Sequence, residues 1–151
     1  MQDQLEITKV IRNSLEKIIS RYSLEQLNKV PEGFTNNLIW NVAHVVVTQQ
    51  LLVYKLAGLP MMISEELVEL YKKGTKTERP CTTEEVAEIR ELLHTTIAKT
   101  EKDIESGVFT ICNEYPTSTG YIIRTNANSF AFNSFHEGIH LGYILALKKA
   151  L

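Results

Sequence analysis

The stretch LIWNVAHVVVTQQLLVYKLA, residues 38–57, limits what the chain can fold into more than any other segment. It is too long for an ordinary strand. Asn41, His44, Thr48, Gln49, Gln50 and Lys55 make it too polar to cross a bilayer. Its polar residues are also ordered. Asn37, Asn41, His44 and Thr48 follow one another at steps of four, three and four, forming a narrow stripe. The opposite side carries Val42, Val45, Leu52, Val53 and Leu56. The pattern is that of a buried central helix, capped at Asn36 or Asn37 and stopped by Gly58 and Pro60.

The remaining sequence supplies partners for this helix. Leu5 to Ile19 carries apolar residues at 7, 11, 15, 18 and 19, and Pro31 and Gly33 break the chain after it. Ser64 with Glu65 and Glu66 opens a short helix. Thr82 or Thr83, with Glu84 and Glu85, opens a longer one with apolar positions 86, 89, 93, 97 and 104. Residues 106–125 have the β-branched and aromatic character of an ordered connection with extended pieces. A last helix is predicted from Asn128 or Ser129 to Lys149. Four main helices, one short helix and a long crossover predict an all-α four-helix bundle, with residues 1–151 as a single domain.

Charge and composition remove several functions. A net charge of -2 without a basic cluster predicts no nucleic-acid partner. Two cysteines without metal-ligand spacing, and an N-terminus unlike a secretory leader, predict a reducing cytoplasm and no membrane association.

The chemistry concentrates in the four histidines, at 44, 94, 136 and 140. His136 and His140 belong to HEGIH, which fits the zinc-peptidase pattern, but no His, Asp, Glu or Cys follows His140 to complete such a site. At i and i+4 on one helix the two imidazoles lie roughly 40° apart around the axis and can share a metal ion. Ser129 and Asn133 extend their stripe. If that stripe faces the one on the central helix, His44 becomes a third ligand. The other reading leaves His44 on a solvated edge and makes the 136/140 pair a surface or hydrogen-bonded pair. Glu137 can lean toward a metal as a general base or turn into solvent, and is the candidate catalytic residue. Asn41 and Asn133 are candidates for ordering substrate or water, and Tyr143, Trp40 and Tyr54 for lining a pocket. His94, beside the core position Leu93, is expected outside the site.

IWNVAH, ending in His44, and FHEGIHLGYILALKK, containing His136 and His140, together resemble the DinB-like superfamily of metal-dependent proteins, in helix order and across nearly the whole chain. The resemblance implies an up-down-down-up bundle, a divalent metal such as zinc or nickel held by His44, His136 and His140, and a homodimer. It also implies a small-molecule substrate, since relatives include thiol transferases that use bacillithiol, mycothiol or glutathione, and a maleylpyruvate isomerase. Many relatives have Gly-Gln-Ile after the last histidine where this chain has Gly142-Tyr143-Ile144, so contacts at position 143 should differ. Three neutral imidazoles leave the ion an open position, as in a catalytic site. That position suits a bound thiolate or water, and hence a thiol transferase or a hydrolase. A non-catalytic interaction bundle is the alternative.

Overall fold

A computed structural model describes residues 1–151. In chain order the elements are α1 (Gln2–Ile19), α2 (Leu24–Asn28), α3 (Leu38–Gln49), α4 (Glu65–Tyr71), α5 (Thr83–Glu105), β1 (Tyr115–Pro116), β2 (Ile122–Ile123) and α6 (Asn126–Leu147). A π-helical turn over Gln50–Lys55 prolongs α3. No helix is long and apolar enough to cross a membrane. Cys81 and Cys112 are unpaired.

Helix starts follow local capping chemistry. Asn37 Oδ1 accepts from Trp40 N at 2.8 Å and fixes the first turn of α3. Ser64 caps α4, and Thr82 forms a reciprocal capping box with Glu85 on α5. Two boundaries depart from expectation. The segment after α1, expected to be a plain break, contains the one-turn helix α2 because Ser23 and Gln26 also complete a capping box. Helix α6 begins at Asn126, not at 128 or 129, because Thr125 Oγ1 accepts from Asn128 N at 3.1 Å. The extended pieces predicted within 106–125 are β1 and β2, paired antiparallel with Tyr115 opposite Ile123.

Side-chain contacts give the directions of the long helices. Along α1, Lys9 meets Glu101 and Glu16 meets Arg90, so α5 runs against it. Thr8 meets Ser134 and Arg12 meets Glu137, so α6 runs with it. Asn41 meets His140 and His44 meets His136, so α3 opposes α6. The result is the up-down-down-up bundle, with α3 and α5 parallel and joined through the crossover that carries α4. The core is built from Leu15, Ile19, Leu38, Val42, Val45, Leu93, Ile144 and Leu147. On α1 the buried face is 5, 8, 11, 12, 15 and 19, so Ile7 points outward and Arg12 points in.

Candidate metal centre

Every residue of α3 from Leu38 to Val47 is buried, so its polar stripe cannot lie on a solvated edge. It meets α6. His44 is 5 % exposed, and its ring centroid lies 5.1 Å from that of His136 and 4.8 Å from that of His140. The His136 and His140 rings are 4.6 Å apart. One ring nitrogen from each of the three lies within 4.8 Å of the others, with no carboxylate in the group.

Neighbouring groups orient two of the rings and select their tautomers. His44 Nδ1 is 2.5 Å from the Tyr71 carbonyl, which can only accept, so Nδ1 carries the proton and Nε2 keeps its lone pair. Trp40 stacks on the same ring at 4.8 Å and 11°. Thr48 Oγ1 lies 3.3 Å from Nε2. Asn41 donates through Nδ2 to Asn37 O at 2.8 Å, which fixes its amide orientation. Its Oδ1 therefore accepts from His140 Nδ1 at 3.0 Å, and His140 Nε2 is also left with a lone pair. A histidine ligand held by a hydrogen bond through its second nitrogen is the usual support for a metal site. The third ring differs: His136 Nδ1 is buried without a hydrogen-bond partner, so unused capacity remains inside the cluster.

All three imidazoles are driven toward the neutral, metal-binding form. Burial depresses His44 against the opposing pull of its bond to Tyr71 O. Burial, then His140, His44 and Arg12, bring His136 down to about 3. Burial and His44 bring His140 down to about 4. A donor set of three neutral nitrogens, two of them oriented from behind, fits a divalent transition ion.

The cluster forms part of the wall of a cavity of about 530 Å³. Leu51, Leu52, Leu56, Phe132, Phe135 and Ile139 give it an apolar lining, and Thr117, Ser118 and Thr119 from the hairpin loop also line it.

Several residues expected in the site lie elsewhere. Glu137 is neither at the cluster nor in solvent. It is fully buried, with Oε2 accepting from Arg12 Nε and Oε1 from Arg12 Nη2, both at 2.8 Å. The roughly 100° step from His136 to Glu137 turns the carboxylate toward α1 instead. Asn133 follows it, donating to Glu137 Oε1 at 2.9 Å, and does not line the cavity. Ser129 packs beside Cys112. Tyr143 packs edge-on against Phe34 at 5.4 Å, outside the cavity. Tyr54 is buried against Thr100 and Asp103. His94 is exposed and away from the cluster, as expected.

Arg12 escaped the reading of the sequence. It links three helices, since Nη2 also donates to Val45 O at 3.3 Å, and it touches the residues that follow His44 and His136. A signal was present: Arg12 falls at steps of four and three between Thr8 and Leu15 on the α1 core face. A charge at such a position implies a buried partner.

The DinB superfamily model matches residues 8–144. This chain belongs to the DinB superfamily, whose pattern spans all four long helices and all three clustered histidines. No curated protein matches it.

Proposed function

We propose that the protein is a metal-dependent enzyme that transfers a low-molecular-weight thiol to a small, largely apolar electrophile, with His44, His136 and His140 holding a zinc or nickel ion. The observation that carries this reading is the placement of three neutral imidazoles, free of carboxylates, on the wall of a cavity large enough for a small substrate. A divalent ion there would supply the positive charge that keeps a thiol sulfur deprotonated near neutral pH.

The protein's own groups account for the rest. The Tyr71 carbonyl and Asn41 fix the rings of His44 and His140, so the donor atoms need little reorganisation. The Thr48 hydroxyl, beside His44 Nε2, can hydrogen-bond a sulfur or oxygen placed at the cluster. Phe132, Phe135 and Ile139 keep the electrophile in an apolar environment. In the transfer, sulfur forms a bond to the electrophilic carbon, the leaving group departs with its electron pair, and the thiol proton passes to solvent.

Thiol transfer is favoured over hydrolysis by what lines the cavity. A divalent ion can itself activate bound water, but hydrolysis also calls for a group that carries protons to the leaving group, and no Asp or Glu borders the cavity to do so, Glu137 being committed to Arg12. A thiol, with a pKa of about 8.5, needs less help. The test is product formation by zinc- and nickel-loaded protein given a thiol and an aryl halide. Turnover should require thiol and metal and fall to background in His136→Ala. Equal turnover of hydrolysable substrates without thiol would make the protein a hydrolase, and no turnover with any thiol would reject the transferase.

A further inference from the structure

Lys55 and Lys73 reach the same cavity from different elements, Lys55 at the end of the π-helical turn and Lys73 just after α4. Neither has a carboxylate within ion-pair distance; Lys17, Arg21, Lys29, Lys76, Lys102, Lys148 and Lys149 are also unpaired, but Lys55 and Lys73 are the Lys or Arg side chains that line this cavity. The chain carries 18 acidic side chains against 16 Lys and Arg, yet none of the 18 borders this cavity. A cavity with two unpaired ammonium groups, in a protein of net negative charge, is selectively positive. On the hairpin side Ser118 adds a hydroxyl donor, while Thr117 Oγ1 donates to Tyr121 O at 2.7 Å and lies 3.0 Å from Thr119 Oγ1. Phe132, Phe135, Ile139 and the three histidines line the same cavity.

We infer that the cavity selects a carboxylated ligand with an apolar body, its carboxylates held by Lys55 and Lys73 and its body lying on Phe132, Phe135 and Ile139. The inference rests on the proposed enzymatic reading for its meaning but not for its test. It assigns the lysines a binding role: they determine which charged molecules enter. The carboxylates can belong to the thiol or to the electrophile, and both present the same chemistry to the lysines.

The experiment is calorimetric titration of zinc-loaded and metal-free protein with benzylsuccinate, an aromatic dicarboxylate, and with its uncharged diamide. Wild type should bind the dianion at least tenfold more tightly than the diamide. Lys55→Met and Lys73→Met should each weaken the dianion about fivefold, leave the diamide unchanged, and keep zinc content at the wild-type level. The lysine dependence should persist without metal, so a failed turnover assay would leave this result standing. Equal affinity for both probes, equal weakening of both by the substitutions, no binding of the dianion, or a preference that disappears with the metal while the substitutions do nothing would each overturn the inference. Where turnover is measurable, removing carboxylates first from the thiol and then from the electrophile identifies which co-reactant's KM the lysines control.

Discussion

His136 and Glu137 are adjacent on α6 and belong to two polar clusters that meet burial differently. On the Glu137 side, the carboxylate takes two bonds from Arg12 and one from Asn133, and its charge is fully matched. On the His136 side, three imidazoles face one another without a counter-charge, and each is held neutral. The first cluster is charge-matched and ties α1, α3 and α6 together, with only Arg12 Nη1 and Asn133 Oδ1 left without a hydrogen-bond partner. The second has nitrogen lone pairs to spare and opens on a cavity. A buried ion pair beside a buried set of neutral nitrogen donors is what separates scaffold from site in this bundle.

The largest expected effect comes from breaking the charge-matched cluster. Arg12→Met leaves Glu137 as an unpaired buried charge and should cost about 3–5 kcal/mol in urea unfolding, while Arg12→Met with Glu137→Leu should recover most of it. A single substitution that costs nothing would mean the pair does not hold the helices.

The neutral cluster should gain stability from what it binds. Zinc or nickel at a hundred times its Kd should add about 2.7 kcal/mol, which for a domain of this size raises Tm by roughly 5–10 °C. His140→Ala should abolish the shift. An identical shift in the variant would place the metal elsewhere.

A smaller effect belongs to the support behind the ligands. Asn41→Ala removes the acceptor for His140 Nδ1 and should weaken metal binding by about 10–100-fold in competition with a chelating dye. Unchanged affinity would reduce Asn41 to a packing residue.

The smallest effect is on acid stability of the metal-free protein. The folded values of about 3 for His136 and about 4 for His140 lie below the ordinary value of 6.5. The unfolded chain therefore binds more protons between those limits. This contribution to stability is complete above about 6.5 and is lost as pH falls toward the folded values. Moving from pH 7 to 6 should cost on the order of 1 kcal/mol, and replacing both histidines by Gln should remove that part of the pH dependence. A wild-type curve flat from pH 7 to 5 would contradict it.

Much of this contrast was legible in the sequence, and the failures have physical causes. Helical periodicity and caps such as Asn37 and Thr82 gave the long helices, because local hydrogen bonds determine where helices start. The spacing of Asn37, Asn41, His44 and Thr48 placed His44 on a polar strip, and the bundle brought that strip to His136 and His140. The residues on the shared helix misled. Asn133 lies between two faces only about 100° apart, and its sequence neighbours cannot say which face it serves. Glu137 needed Arg12, 125 residues away in sequence, to explain its burial. Tyr143 followed the stripe by spacing but found Phe34 across the surface. Lys55 and Lys73 are ordinary lysines until the crossover puts them at one cavity.

The central claim, that the neutral cluster is a metal site and the charged one is not, is tested most directly by elemental analysis of untagged protein after metal loading and desalting. One equivalent of zinc or nickel in wild type, none in His44→Ala, and a full equivalent in the folded Arg12→Met/Glu137→Leu variant is the predicted result. Metal retained by His44→Ala, or absent from reconstituted wild type, would contradict the account.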